Sequence, residues 1–505
     1  MRTPQLFAFL GVGLLAGTIA LEGFTRAGGL SAVTLAVLTG LGSTCFAVSL
    51  WQGRPIEDRR HVSLGAVFCL YYAVSYGFAV LGAPPPFAQR LLPNGLDSVN
   101  LIALPLGILA WLLGYRVLHL TALTRTARHL LVPRTTLRPV GPSTLLVFFA
   151  TTVVVRLWLI VSGGGYGFLR DVVDATTSAN PLVQYLVVYG EFGVVIVGLA
   201  IVASGHTGHN GPGYRRAYLW ILPVEVILRL IAGNKSGLLL LALVVVLASA
   251  TAGTVSRLPR KLTAAGLAGM LIVFPLVGTY RDILRPATGP QLSASEAPAA
   301  AVTAVKKTAS TAAAGPLAYG RFAYDQTAGR FREIDRAAVS IQAHDAGKPY
   351  SAASEMPLRV ASGMIPRLLW PDKPLNLYAL DVSRDYYGLS TNVISASSLS
   401  PVGDAYRYGG LAMVAAALAL LGAFVRFLDE MLAPRHSIWL VPLLIAAIPL
   451  IRGGDLAGLL VAAIRYYLIV GIFYRFLFVR ASRTSTATGR LTHSPRNIVA
   501  SGRQS

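Results

Sequence analysis

Four ionisable side chains stand inside long apolar stretches, where a charge is so costly that each one suggests a function. They are Arg156 in VVVRLWLIV, Glu191 in VVYGEFGVV, and Glu225 and Arg229 in LPVEVILRL. Because Glu225 and Arg229 are four residues apart, they share a helix face and can pair, either as a structural ion pair or within a functional site. Arg156 has no acidic residue close in sequence. We expect it to meet Glu191 on the next helix or an anionic substrate.

A short polar turn, Gly233-Asn234-Lys235-Ser236-Gly237, separates two of these apolar stretches. Its glycines let a ligand approach the backbone, and the following helix offers free N–H groups to an anion. Lys235 is therefore a candidate phosphate contact, although an ordinary polar turn with an interfacial lysine has the same composition. The spacing of the glycines excludes a nucleotide P-loop.

Arginines, aromatic residues and prolines come together in the longest polar segment, 281–410. Guanidinium groups suit pyrophosphate oxygens, and aromatic rings suit the faces of sugars. Arg281 directly follows an apolar stretch and Arg367 follows a proline, so both are candidate contacts for phosphate oxygens. Further candidates for substrate binding are Arg285, Arg332, Trp370, Lys373 and Tyr406.

Of the eight histidines, only His344 falls in this segment. It is a candidate base because a histidine titrates near neutral pH, although a plain surface histidine fits the pattern as well. The nearest approach to a metal cluster is the pair Asp171 and Asp174, which has no third acidic residue or histidine close by. We therefore predict neither a metal nor a cofactor.

The elements that carry these residues follow from composition. Charged residues make up 13% of the 505 positions and hydrophobic residues 54%, whereas soluble proteins have roughly 25% charged residues. Apolar stretches of roughly 20 residues span a bilayer as helices, because backbone groups in lipid must be paired within the segment. The sequence thus predicts an all-α, polytopic integral membrane protein with about twelve transmembrane helices. The stretches are Leu6–Leu21, Leu30–Trp51, Val62–Leu81, Leu101–Leu120, Ser143–Ser162, Leu182–Ala203, Ala217–Ala232, Gly237–Ala252, Thr263–Tyr280, Leu411–Leu428, Ile438–Ile451 and Leu456–Phe478.

The placement of basic residues predicts the topology. With both termini in the cytoplasm, most Lys and Arg outside the apolar stretches lie on the cytoplasmic side, as the positive-inside rule requires. The net charge of +22 is therefore largely a topology signal, and nucleic acid is not an expected partner. The short outer loops hold only Arg26, Arg90, Arg170, Lys235 and Arg452.

One long extracytoplasmic loop interrupts the helices. Its first part, 281–318, is rich in Ala, Ser, Thr and Pro and is expected to be flexible or weakly helical. Its second part, 319–410, is denser in aromatic and charged residues, which is typical of an ordered cap. The predicted divisions are 1–280 for helices one to nine, 281–410 for the loop, 411–480 for helices ten to twelve, and 481–505 for a disordered basic tail in the cytoplasm.

Several motifs follow one another along the chain. They are Arg156 followed by Gly163-Gly164-Gly165, GNKSGLLLL, Arg281 after helix nine, the R-x-x-D at Arg332 and Asp335, IPRLLWPDKP, and GDAYRYGG leading into helix ten. In this order they resemble the bacterial oligosaccharide repeat-unit polymerases of the Wzy type, which build O-antigen, capsule and exopolysaccharide. IPRLLWPDKP is the most specific. The chain departs from the family at Lys235, where the family more often has Arg. The resemblance implies a fold like that of the C-type membrane glycosyltransferases.

The resemblance also implies a reaction on the outer face of the cytoplasmic membrane. A sugar hydroxyl of one lipid-linked repeat unit attacks the anomeric carbon of a second glycan, and polyprenyl diphosphate leaves. Arg281 and Arg367 would clamp the diphosphate and stabilise the leaving group without a metal, and Arg156 and Lys235 would assist from the membrane side. The base would be His344, Asp335 or Asp404. The expected partners are polyprenyl-diphosphate-linked glycans, the lipid bilayer, and a flippase and chain-length regulator of the same pathway.

Other functions stay open. O-antigen ligases resemble the same family. A C-type transferase that uses a polyprenyl-phosphate sugar usually carries an acidic pair in its first outer loop, whereas Glu22–Gly29 holds a single acid. A transporter of lipid-linked glycans would need neither a base nor an ordered cap, and one long loop does not suit a transporter built from two equal halves.

Overall fold

The described part of the chain is helical, apart from one pair of three-residue strands. Five helices are long and apolar enough to cross a membrane, namely Thr3–Glu22, Ala32–Gln52, Leu64–Leu81, Pro142–Val161 and Gly410–Met431. Length and composition therefore indicate a membrane protein. This structure, a computed structural model, describes residues 3–24, 30–53, 63–117, 121–131, 137–161, 181–206, 211–232, 235–251, 272–273, 275–284, 296–352, 354–365, 370, 372, 378–389, 398–431 and 455–480.

Several helices have a serine at the N-cap. The side chains of Ser31, Ser63 and Ser400 each accept a hydrogen bond from a backbone N–H in the first turn. In chain order the helices are α1 (Thr3–Phe24), α2 (Ala32–Gln52), α3 (Leu64–Tyr72, continued by a π-turn and a 3-10 turn to Leu81), α4 (Pro86–Leu91), α5 (Ala103–Val117), α6 (Thr121–Leu131), α7 (Pro142–Val161), α8 (Pro181–His206), α9 (Gly211–Ile231), α10 (Lys235–Thr251), α11 (275–284), α12 (Ala297–Ala313), α13 (Pro316–Phe331), α14 (Glu333–Asp345), α15 (Glu355–Met364), α16 (Tyr378–Asp385), α17 (Pro401–Tyr406), α18 (Gly410–Met431) and α19 (Leu456–Arg475). The strands are β1 (Leu137–Pro139) and β2 (Phe478–Arg480).

The predicted apolar stretches coincide with helices wherever the structure describes them. Ile438–Ile451 and most of Thr263–Tyr280 lie outside the described residues. The polar turn predicted at 233–237 is shorter than expected, because α10 already begins at Lys235. In the first part of the long segment, α12 forms a helix of 17 residues.

Small residues and one buried carboxylate fix the packing of α3, α5 and α18. A Cβ atom added to Gly422 would collide with the backbone of Trp111, so α5 and α18 cross in direct contact. Near the end of α18, Asp429 accepts the Ser63 hydroxyl at 2.7 Å and the backbone N–H of Leu64 at 3.0 Å. The Tyr115 hydroxyl of α5 donates to the same carboxylate. Asp429 therefore caps the start of α3 from another helix.

The two strands connect distant parts of the sequence. β1 and β2 pair in antiparallel fashion, and the Val140 N–H donates to the Leu477 carbonyl at 2.8 Å. The Tyr214 hydroxyl of α9 donates to the Val140 carbonyl at 2.7 Å. The beginnings of α7 and α9 and the end of α19 are therefore held together on one side of the molecule.

The helices between α11 and α18 are attached to the other end of α3. Arg332 is buried and donates to the carbonyls of Ala79 and Val80 at 3.2 Å, and also to that of Gly82. These carbonyls belong to the last turn of α3, which has no further helical partners for them. α14, which follows Arg332, therefore packs against the end of α3, and α17 in turn packs against α14.

Candidate functional site

α17 is held against α14 through a glycine. A Cβ atom on Gly403 would lie 3.1 Å from the Ala337 Cα and 3.2 Å from the Arg336 carbonyl, so a larger residue would push the helices apart. The Ser340 hydroxyl donates to the Gly403 carbonyl at 2.7 Å. This contact leaves Asp404 and Arg407 to face α15, α16 and the start of α19.

Asp404 lies at the centre of a buried polar cluster and has no solvent exposure. The Tyr378 hydroxyl donates to its Oδ1 at 2.8 Å, and the Leu456 N–H at the start of α19 donates to its Oδ2 at 2.9 Å. Burial raises the pKa of Asp404 to about 6, and the neighbouring Asp455 contributes to the increase, whereas two arginines oppose it. This carboxyl therefore changes its charge close to neutral pH.

The two arginines, Arg359 of α15 and Arg407 after α17, flank Asp404. The Arg407 Nε lies 3.9 Å and the Arg359 Nη1 4.0 Å from the Asp404 Oδ1. Both guanidinium groups lie over the Tyr378 ring, at 3.5 Å for Arg359 and 5.1 Å for Arg407, which suits their cationic charge. We call Arg359, Arg407, Asp404 and Tyr378 the arginine cluster.

Further partners hold the arginine cluster in place. Arg359 pairs with Asp455, and Arg407 pairs with Glu355. Both arginines donate to the Tyr408 hydroxyl, Arg359 at 3.1 Å and Arg407 at 3.3 Å. Residues from four separate parts of the chain thus fix the two guanidinium planes.

Each of the two arginines keeps a buried donor without an acceptor among the described residues. These donors are the Nε–H groups of Arg359 and Arg407. Buried N–H groups are almost always paired, so these two donors suit an acceptor beyond the described residues, and an anion is one such acceptor. With a carboxyl beside them whose pKa is about 6, the arrangement can bind an anion and exchange a proton.

His344 lies on the opposite side of α17. The Lys348 carbonyl can only accept, so the His344 Nδ1, 2.8 Å away, carries the proton, and Nε2 accepts from the Tyr386 hydroxyl at 3.0 Å. Burial lowers the pKa of His344 and keeps the ring neutral. The Tyr406 hydroxyl donates to Asp345 at 2.9 Å. In this arrangement His344 has no free nitrogen lone pair for a substrate, so it fits the role of a base less well than Asp404 does.

Arg332 and Asp335 form a tight structural pair. The Arg332 Nε and Nη2 donate to the two oxygens of Asp335 at 2.6 and 2.8 Å, and its Nη1 contacts the carbonyls at the end of α3. Both residues are buried. The geometry favours a role in joining α14 to α3 over the predicted roles in substrate binding and as base.

The helices α7, α8 and α9 hold a second charge network. The predicted pair of Glu225 and Arg229 is confirmed, with 2.8 Å between Glu225 Oε1 and Arg229 Nε. For Arg156, expected to meet Glu191 or an anionic substrate, the described ion pair is with Glu225 of the same network. Arg156 bonds Glu225 at 2.6 Å, and Glu191 bonds Arg229 at 2.6 Å. The reason is that both Glu225 oxygens are available and that Gly193 of α8, which has no side chain, leaves room for the Arg156–Glu225 contact.

The remaining predicted residues lie apart from the arginine cluster or outside the described residues. Arg281 is partly buried in the last turn of α11, and Trp370 is partly buried. Arg285, Arg367, Lys373 and the Lys235 side chain lie outside the described part, so the Arg281–Arg367 clamp stays a prediction. In the described ranges, no three His, Cys, Asp or Glu side chains are grouped so that they could hold a metal ion.

Sequence reasoning missed Arg359, Tyr378 and Asp455. Arg359 stands in EMPLRVASGM and Asp455 in IRGGDLAGL, where nothing in the local pattern distinguishes them from surface charges. A signal was present at Arg407, which follows Asp404 by three residues in GDAYRYGG. On a helical turn this spacing puts both residues on one face.

The comparisons with known proteins give one match. A family model described as a domain of unknown function (DUF8712) matches residues 182–432. No curated protein and no solved structure matches the chain. The matched range runs from the start of α8 to the end of α18 and includes the whole arginine cluster, whereas Arg156 and Asp455 lie outside it.

Proposed function

We propose that the chain is a membrane glycosyltransferase that polymerises polyprenyl-diphosphate-linked oligosaccharide repeat units on the outer face of the cytoplasmic membrane. The proposal rests on the Nε–H groups of Arg359 and Arg407 beside Asp404. Both are buried, and neither has a hydrogen-bond acceptor among the described residues. A diphosphate leaving group needs two or more fixed positive donors. A sugar hydroxyl needs a base, and both requirements meet in this cluster.

The proposed reaction assigns a role to each member of the arginine cluster. Arg359 and Arg407 bind the diphosphate oxygens and stabilise the charge that develops as the bond from the anomeric carbon to the phosphate oxygen breaks. Asp404 accepts the proton of the attacking sugar hydroxyl as the new glycosidic bond forms. Tyr378 supports both arginines through its ring and orients Asp404 through its hydroxyl.

Anion binding and proton transfer would be coupled in this cluster. Without a ligand, the two arginines oppose the rise in the pKa of Asp404. A bound diphosphate engages their positive charge, which makes the carboxylate less stable and a stronger base. The donor substrate would therefore activate Asp404 at the moment when the acceptor hydroxyl has to lose its proton.

We also propose twelve membrane spans with both termini in the cytoplasm. The β1–β2 pair supports this topology, because it joins the segment before α7 to the segment after α19, and the charge distribution assigns both to the cytoplasm. The arginine cluster, just before α18, would then be at the outer end of a membrane span, where the diphosphate of a lipid-linked glycan lies.

The test is extension of a defined polyprenyl-diphosphate-linked repeat unit by the purified protein. We expect polymer from the wild type, and about a hundredfold lower rate from Arg407→Lys, which keeps one charge but loses the planar fork. Arg336→Lys is the matched control, because Arg336 is paired with Glu333 outside the arginine cluster. Activity should persist in EDTA, since the arginines supply the positive charge. No product from folded wild type, equal loss in both variants, or activity restored only by Mg²⁺ would contradict the proposal.

A further inference from the structure

An apolar cavity of about 410 Å³ lies away from the arginine cluster, between α7, α9, α11 and α12. Its volume falls within the range of ligand pockets, roughly 300–1,000 Å³. Its walls include Ile160, Ile231, Leu276, Ala301 and Val305. The walls come from α7, from α9 and from the consecutive helices α11 and α12, so the tertiary packing creates the cavity.

The chemistry of the walls excludes a polar ligand. Tyr280 carries the one side-chain polar atom of the lining, and its hydroxyl donates to the Ile231 carbonyl at 3.2 Å. Water held in such a space would have too few hydrogen-bond partners. A hydrocarbon chain is the ligand class that gains from these walls, because it removes apolar surface without leaving a polar group unpaired.

Exposed residues near the cavity indicate that a hydrocarbon chain would enter it from the lipid bilayer. Val161 at the end of α7 is 86% exposed, Val302 is 55% exposed and Val305 is 52% exposed. Exposed β-branched residues at the end of a membrane-length helix are expected to face lipid. Two basic residues are next to lining residues in the sequence: Lys306, which is exposed, follows Val305, and Arg281, which is partly buried, follows Tyr280. Apolar walls with basic residues in the same helices complement a lipid that has an anionic headgroup.

We infer that this cavity is a binding site for one acyl chain of an anionic membrane phospholipid, with Lys306 and Arg281 near its phosphate. The site does not depend on the proposed function. The occupant is an ordinary bilayer lipid that fills the space between α12 and the helices α7, α9 and α11. The acyl chain of this lipid would hold α12 against the rest of the protein.

The test uses phosphatidylglycerol with a photoreactive diazirine in its acyl chain, in nanodiscs that contain the full-length protein. Peptide mass spectrometry then maps the crosslinks. We expect them on 276–280 and 298–305 in the wild type. Ala301→Phe should abolish them, because its ring would fill the cavity. Ala299→Phe should not, because Ala299 is exposed on the same helix and does not line the cavity.

Two further arms identify the lipid. Lys306→Gln should weaken crosslinking by phosphatidylglycerol about fivefold, the effect of one basic side chain at an anionic lipid surface. Excess unlabelled phosphatidylglycerol should compete, and an equal amount of polyprenyl phosphate should compete no better. Crosslinks elsewhere, crosslinks that survive in Ala301→Phe, or displacement by polyprenyl phosphate alone would overturn the inference.

Discussion

The carboxyl group of Asp404 is costly to the fold, and in the proposed reaction the same property makes it a base. It is fully buried, accepts two hydrogen bonds and lies about 4 Å from two guanidinium groups, yet its pKa is raised from 3.8 to about 6. A raised pKa means that the fold prefers the uncharged form. The unfavourable contribution of Asp404 to stability is therefore absent below pH 3.8 and fully present above about pH 6.

Replacement of Asp404 by Asn should separate these two effects. The Asn carbonyl can accept the Leu456 N–H, and its amide can donate to the Tyr378 hydroxyl, so the melting temperature at pH 7 should not fall. The polymerisation rate should fall by roughly a hundredfold or more, the usual contribution of a general base. In the wild type, kcat/KM should decrease about tenfold per pH unit below about pH 6, because the base must be ionised.

Asp381→Asn is the control for this substitution. Asp381 is exposed on α16, the helix that carries Tyr378, and contacts no member of the arginine cluster through a described hydrogen bond. It should keep both the rate and the acidic limb of the pH profile. Near-normal turnover in Asp404→Asn, or a pH profile flat down to pH 5, would show that Asp404 is not the base.

For individual residues, the sequence predicted some of the polar side chains in the site but few of the contacts between them. Asp404 was a candidate from its place in GDAYRYGG, and the Glu225–Arg229 pair followed from their spacing. Arg359 and Asp455 could not be found, because the arginine cluster joins α15, α16, α17 and α19 through contacts that no local pattern encodes. The Arg156–Glu225 pair was not predicted for the same reason.

Among the secondary-structure elements, α7, α8 and α9 are joined by the network of Arg156, Glu225, Arg229 and Glu191. Removing one partner from a buried ion pair is far more destabilising than the pair itself is stabilising, since a charge is left without compensation. Three of the four side chains are at most 1% exposed. The packing of these helices should therefore depend on the space that Gly193 leaves for the network.

Gly193→Ala should break this network. The added Cβ would lie under 3.0 Å from both the Arg156 guanidinium and the Glu225 carboxylate, so the ion pair has to separate. We expect a loss of roughly 3–5 kcal/mol, as for other broken buried pairs, seen as a lower melting temperature in detergent. Gly17→Ala on α1 meets no atom within 4 Å and should leave the melting temperature unchanged or slightly higher. Equal melting temperatures for both variants would contradict this account.

Asp429 joins α18 to the start of α3, and its loss should loosen that contact. Asp429→Ala leaves the Ser63 hydroxyl and the backbone N–H groups of Leu64 and Gly65 without their acceptor. We expect a destabilisation of roughly 2–3 kcal/mol from lost capping and unpaired buried donors, measured by thermal unfolding. Glu430→Ala removes a partly exposed pair with Arg426 and should have a smaller effect, below about 1 kcal/mol. A larger loss of stability in Glu430→Ala than in Asp429→Ala would refute the capping role of Asp429.

Helices were predictable from the sequence because long apolar stretches must pair their own backbone groups. The composition of 281–318 allowed a weak helix where α12 lies, but α14 to α17 were not predictable, because they have only 6 to 13 residues and are stabilised by tertiary contacts. α14, for example, depends on Arg332 reaching the end of α3, a contact across some 250 residues. Contacts of this range are set by the fold and leave no periodic signal.

At the scale of the whole molecule, hydrogen bonds bring together one end of each of several helices. The end of α18 contacts the start of α3 and the end of α5 through Asp429, and the end of α5 contacts the end of α2 through Arg116 and Ser49, 2.8 Å apart. α6 joins this group through Thr124, which donates to Glu430. In the proposed topology all of these ends are cytoplasmic, so packing and charge distribution agree.

Single cysteines on α6 and α12 should therefore be labelled from opposite sides of the membrane. Thr126 and Ser310 are both exposed, and each hydroxyl bonds only to a carbonyl of its own helix, so Thr126→Cys and Ser310→Cys should leave the fold intact. Cys45 and Cys69 are first replaced by Ala. In intact cells an impermeant maleimide should label Ser310→Cys alone, and both positions should react once the membrane is permeabilised. Labelling of Thr126→Cys in intact cells would place α6 outside. The positive-inside assignment, the outer location of the arginine cluster and the proposed reaction site would then all be wrong together, because each depends on the same orientation of α18.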